Sequence, residues 1–282
     1  MAATSFQVQY RQEFIAGFEQ SSTLLRETVT TESVIKGNQA TFLVASSGGA
    51  TAVTRGVNGL IPARDDSLTQ STATLNEWHD LVRKTNFNIF ASQGNQRAIM
   101  QATTMTVINR KIDDQITTLL NTGTVAIGSS VTLPSVSLVM NSMVKLQNAS
   151  VPWDSNITLL CQPAFLAYMM QTEEFTSAEF VNIRPFAGDD PNWRDRPQSY
   201  KWMNMLVISH PNLPGRGTSS EINFLYHKSS IGHAANVAGM ENVVGYEEEQ
   251  GYSYARCSMD MGGVLLQNAG ICVITADGSA YA

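Results

Sequence analysis

The chain has 282 residues, 43% of them hydrophobic and only 15% charged, with a formal net charge of −6. That length holds one large domain or two ordinary ones, and the apolar content supplies a core, which excludes a wholly disordered chain. No apolar run approaches the ~20 residues that cross a bilayer, and Met1–Gln7 lacks the basic start and apolar block of a secretion signal, so a soluble, non-exported chain is expected.

The acidic balance, without clustered Lys or Arg, argues against tight, salt-dependent binding to nucleic acid. A surface rich in amides and hydroxyls but thin in charge repels its own copies weakly. Self-association and an ordinary β-rich domain both fit that composition.

In chain order, Phe6, Tyr10, Phe14 and Phe18 recur at spacings of four and are followed by Leu24 and Leu25. The spacing predicts a helix with one aromatic face, which either covers the protein's own core or docks as an arm on a neighbouring subunit. Thr41–Ala45 reads as a strand. The extended runs Thr51–Val57 and Leu60–Pro62 flank Asn58-Gly59, the signal of a hairpin with a type I′ turn. Leu75–Phe90 mixes apolar and polar residues and ends in a strand-like Thr85–Phe90. Residues 36–93 carry too few large apolar side chains for a core of their own, and a long hairpin alone is marginal, so this segment must lie on its own body or on another chain.

Asn95–Asn121 is the clearest helix, with Ala98, Ile99, Ala102, Met105, Ile108, Ile112, Ile116, Leu119 and Leu120 as its apolar stripe. Arg110, Lys111, Asp113 and Asp114 flank the stripe, and Gly123 follows as a stop. At ~1.5 Å per residue the helix is ~40 Å long, enough to span the molecule as a spine; a coiled-coil seam is the alternative. Beyond Pro134, helices over Ser135–Asn148 and from Pro163 alternate with strands over Asn156–Cys161, Met203–Ser209, Ile222–Tyr226 and Gly270–Thr275. Ser253–Leu266 reads as a strand pair around Gly262-Gly263, and a polar loop through Gly188–Pro197 carries Trp193. Interleaved strands and helices give an α/β or α+β body.

Chemistry is sparse in this sequence. His79, His210, His227 and His233 have no metal-ligand spacing, no serine sits in a nucleophile elbow, and Pro214–Thr218 lacks the Lys of a phosphate loop. Asp65-Asp66, Asp113-Asp114, Glu173-Glu174, Asp189-Asp190 and Glu247–Glu249 read as solvated acids. Cys161, Cys257 and Cys272 form no Cys-x-x-Cys pair and read as small buried hydrophobes, which implies synthesis in a reducing cytoplasm. No catalytic, cofactor-binding or metal-ligating residue is assigned, and no cofactor is expected.

An aromatic arm, a weakly packed hairpin, a spanning helix and an α/β body, in that order, resemble the major capsid proteins of tailed bacteriophages, of the Hong Kong 97-type fold. Arg110–Ile116 looks like the heart of the spine helix, Met203–Pro214 like a strand with the family's Leu-Pro ending, and Tyr252–Val273, with Arg256, Asp260, Gly262-Gly263 and Gln267–Gly270, like its C-terminal strands. The resemblance implies an α+β fold with an N-terminal arm over 1–35 and an extended E-loop over 36–93. It implies a peripheral domain over 94–133 and 236–263 and an axial domain over 134–235 and 264–282. The function implied is structural rather than enzymatic: hexamers and pentamers closing into an icosahedral shell around double-stranded DNA that the wall contacts non-specifically. Such a protein is made in the host bacterial cytoplasm and resides in the virion, with scaffolding, portal and cement proteins as partners and no membrane. An encapsulin-like compartment of the same fold is the alternative, followed by a soluble enzyme using His79 or His210 with a nearby acid.

Overall fold

The computed structural model of the protein describes residues 22–33, 37–91, 95–176, 199–236 and 240–281. The aromatic residues Phe6–Phe18 and the Trp193 loop lie outside the described residues. The elements of the first half are Thr30–Ser33 (β1), Gln39–Ser46 (β2), Ser67–Thr74 (β3), Asn76–Thr85 (β4), Asn86–Ala91 (α1), Gln96–Leu120 (α2) and Val125–Gly128 (β5). Then follow Val136–Asn148 (α3), Ile157–Cys161 (β6), Pro163–Met169 (α4), Glu173–Thr176 (α5), Ser199–Trp202 (β7) and Met205–Ser209 (β8). Glu221–His227 (β9), Ile231–Ala235 (β10), Glu241–Glu247 (β11), Tyr252–Leu265 (β12) and Ile271–Ala276 (β13) complete the fold.

The spine helix α2 begins where its cap dictates: the Asn95 side chain accepts the N–H of Ala98. Its 25 residues span ~38 Å. The C-terminal half buries the expected Ile108, Ile112, Ile116 and Leu120. The N-terminal half departs from the expected stripe. Ala98, Ala102 and Met105 face out, and Met100 and Thr104 are buried instead, because β4 and β12 cover a different side of the helix there.

Two sheets flank this spine. One contains β1-β10-β12-β11 in order, with β4 on the other side of β12. The other has the order β5-β13-β9-β6-β8-β7. The main core joins them, with Ile112 and Ile116 of α2 meeting Phe224 and Tyr226 of β9 and Met259 and Met261 of β12. A second core lies between α3, α4 and the six-stranded sheet, around Val139, Leu159, Phe165 and Leu225.

Three local expectations are corrected. Thr85–Phe90 is not a strand; the strand is β4, which ends at Thr85, and Asn86–Ala91 turns into the short helix α1. Tyr252–Leu265 is one continuous strand, not a pair broken at Gly262-Gly263. Those glycines serve close packing: a Cβ on Gly262 would stand 2.1 Å from the Thr74 carbonyl oxygen, and one on Gly263 2.4 Å from Leu119. The strands expected around Asn58-Gly59 are not hydrogen-bonded strands. The hairpin is made by β2 and β3, and a local turn closes at the far end with Gly59 N–H donating to Gly56 O and Gly56 N–H to Leu60 O. Gly59 alone has a positive φ, of 71°, so this is a three-residue loop ending in a left-handed residue rather than type I′.

Candidate assembly surface

The base of the β2–β3 hairpin docks on the body. Ala40, Phe42 and Ala73 are buried against Ala234, with Leu75, Val264 and Leu266 around them. Burial then stops: from Leu43 onward β2 is exposed or half-exposed, and so are the whole of 47–66 and most of β3. The exposed part nonetheless carries Leu43, Val53, Val57, Leu60, Ile61 and Leu68. Beyond the docked Phe42, β2 runs on for four residues, ~14 Å, and 47–66 continue past it, so Val53, Val57, Leu60 and Ile61 are held away from the core. Polar contacts give the loop its shape: Arg64 Nη1 donates to Ser47 O at 3.2 Å and pairs with Asp66 at 2.9 Å, while Arg55 Nη1 donates to Gly59 O. Among the described residues nothing covers it.

A second exposed apolar group lies at the far end of the five-stranded sheet. Phe87 and Phe90 of α1 are 75% and 88% exposed, beside Tyr246 of β11, whose hydroxyl accepts from Asn86 Nδ2. Large exposed apolar groups of this kind mark contacts with other chains.

The polar residues considered as chemistry are distributed otherwise than the sequence suggests. Asp113, expected on the solvent face, is 1% exposed. Its two oxygens accept the N–H groups of Leu24 (3.0 Å) and Leu25 (3.2 Å), tying residues 22–29 to the spine helix. Its neighbour Asp114 does face solvent and pairs with Lys111 at 2.6 Å. His210 is buried beside Asp113, with Nε2 3.6 Å from Oδ2 and Nδ1 accepting the N–H of Asn212. His79 and His210 both line an open cleft of about 440 Å³ between α2 and β4, but His79 is paired with Glu77, and Lys111 lies over the Trp78 ring at 4.6 Å. His233 is fully buried with both ring nitrogens unpartnered; burial and the Arg26 charge push it down to about 4, against the pull of Asp113.

Asp154, His227 and Ser229 form an acid–imidazole–hydroxyl chain, at 3.1 and 2.8 Å. Its geometry is that of a cap: His227 Nδ1 accepts the N–H of Ser229 at the start of a 3₁₀ turn, which puts the ring proton on Nε2 toward Asp154. Hydrogen bonds, first from Asn156 and then from His227, hold Asp154 below the usual carboxylate range. The three cysteines are buried as expected, with Cys161 pushed up to about 12 by desolvation. Among the described residues no group of three or more His, Cys, Asp or Glu could hold a metal ion.

A search of curated proteins finds no match. Among solved structures, the chain is similar to that of Mycobacterium phage Che8 (TM-score 0.72, 16% identity, covering 97% of this chain and 98% of that one). It is similar to the capsid structure of the cyanophage P-SCSP1u (TM-score 0.70, 10% identity, 96% and 93%) and to the head structure of Helicobacter pylori bacteriophage KHP40 (TM-score 0.69, 12% identity, 96% and 95%). These likenesses carry the fold. The family model described as phage capsid protein matches residues 2–277, nearly the whole chain, and the chain belongs to that family.

Proposed function

We propose that this chain is the repeating subunit of a phage head, gathering as hexamers and pentamers that close into an icosahedral shell around double-stranded DNA. The observation that carries the reading is the hairpin: a folded body holds out an apolar tip that none of the described residues covers, and a neighbouring copy can cover it. A subunit contact of ordinary size buries ~1,600 Å², and many such contacts made at once turn weak pairs into a stable wall. The low surface charge and net charge of −6 suit a wall that neither repels its copies nor adsorbs its cargo strongly. In this reading scaffolding, portal and cement proteins are the partners, and synthesis takes place in the host bacterial cytoplasm.

The division into a peripheral unit (94–133 with 236–263) and an axial unit (134–235 with 264–282), with an arm over 1–35 and an E-loop over 36–93, belongs to the same proposal. It is supported by the packing of α2 on β12 and by the shared sheet of β6, β8, β9 and β13. β1, β4 and β10 join the first sheet, and β5 the second, from outside those ranges.

Deleting Thr51–Arg64 tests the overlap of neighbours. The shortened chain is expected to keep its circular dichroism and melting temperature yet form no closed shell; intact particles from it by electron microscopy would refute the overlap.

A further inference from the structure

We propose that the junction between residues 24–28 and the spine helix is an acid-sensitive latch, held shut by a neutral His233 and opened when that ring gains a proton. The latch itself is Asp113. Both its oxygens are occupied by the N–H groups of Leu24 and Leu25, and the chain continues through a 3₁₀ turn over Arg26–Thr28 into the buried Val29. Thr28 Oγ1 donates to Leu25 O at 2.7 Å, so the Tyr226 hydroxyl, 2.5 Å away, donates to Thr28. These contacts bind the segment to α2 on one side and to β9 on the other.

His233 sits on β10 beside β1, the strand into which that segment leads. Its strand neighbours are Thr31 on β1 and Gly263 on β12, neither of which titrates. The charges that reach it are Arg26, which opposes protonation, and Asp113 of α2, which favours it; Tyr226 of β9 stays neutral because burial pushes its pKa up. His210 approaches Asp113 from the end of β8 and competes for the same carboxylate. A neutral imidazole without partners already leaves one donor and one acceptor unmet. A proton adds a charge and a second unmet donor in a site with no water-accessible surface.

The element that yields is β1. It has four residues, lies at the end of its sheet, pairs among the described residues with β10 alone and is mostly exposed. Opening as far back as residue 24 uncovers His233 and withdraws Leu25 and Val29 from the main core, while the second core stays intact. A histidine whose folded pKa is lowered is stabilising above its ordinary value of 6.5, and that contribution is lost as pH falls through 6.5 toward about 4. If the opened state restores the ordinary value, the open population rises about fiftyfold between pH 7 and pH 4.5.

Hydrogen exchange of the full chain, corrected for intrinsic rates, reads this directly. Residues 24–33 are expected to lose protection by about fiftyfold at pH 4.5 relative to pH 7 while β13 keeps its own, and His233→Met and His233→Gln are each expected to remove that pH dependence. Unchanged wild-type protection down to pH 4.5, or the same loss in a folded His233 variant, overturns the proposal. Should neither variant fold, the wild-type titration of the His233 ring by NMR decides: a midpoint shared with the exchange change supports the latch, and a separate midpoint overturns it.

Discussion

The ring of Phe42 lies against Gly232, so close that a Cβ on that glycine would stand 2.9 Å from two of the ring carbons. This contact is where the hairpin leaves the body, and it sets how firmly the free tip is anchored. Gly232→Ala is expected to displace the ring and Phe42→Ala to remove it, the latter costing about 3 kcal/mol. Exchange protection across Gln39–Thr74 should fall in both variants while the six-stranded sheet keeps its protection.

Asp113 and Asp114 are adjacent in sequence and opposite in consequence. Asp113→Ala leaves two N–H groups without their acceptor and is expected to cost about 3 kcal/mol by denaturant titration. Asp114→Ala removes an exposed pair with Lys111 and should stay within about 0.5 kcal/mol.

That contrast explains much of what was and was not legible. The spine helix could be read because its signals are local: an apolar repeat at three and four and a glycine stop. The role of Asp113 could not, because its partners are 88 and 89 residues away, and no local pattern separates it from Asp114. The strand β4 was blurred for a related reason. Its alternation is weak, and it becomes a strand by pairing with Asn76↔Met261 through Thr85↔Tyr252. Thr85–Phe90 looks extended in isolation, but with no strand to pair it closes into α1. Asn58-Gly59 did mark a turn, although the strands lie farther from it on both sides, at Gln39–Ser46 and Ser67–Thr74. The exposed surface was foreseeable from the shortage of large apolar residues in 36–93; the aromatic pair Phe87 and Phe90 was not, having been assigned to a strand.

Glu221 gives a prediction with a pH sign. Its carboxyl is buried, one oxygen accepting the N–H of Gly217 at 3.0 Å and the other unpartnered, and desolvation, reinforced by Asp277, raises its pKa. A carboxyl raised in the folded state stabilises at low pH and loses that contribution as pH climbs through its ordinary value toward the raised one. Glu221→Gln is therefore expected to melt a few degrees higher than wild type at pH 7. The two should converge near pH 4; a variant less stable at both pH values would show that the carboxylate is needed.

Charge placed on the hairpin tip should separate folding from assembly. Val57→Asp with Leu60→Asp alters residues that are almost wholly exposed, so the melting temperature should hold to within about 0.5 kcal/mol of stability. Buried against a neighbour, the same charges are costly, and sedimentation should show subunits or capsomers in place of large particles.

The most direct measurement is a micrograph of the purified chain, produced with and without an assembly helper, together with its sedimentation profile. Closed, uniform particles of megadalton mass are the expected result. A chain that stays a monomer or dimer at high concentration, in every buffer and with the helper present, would contradict the account.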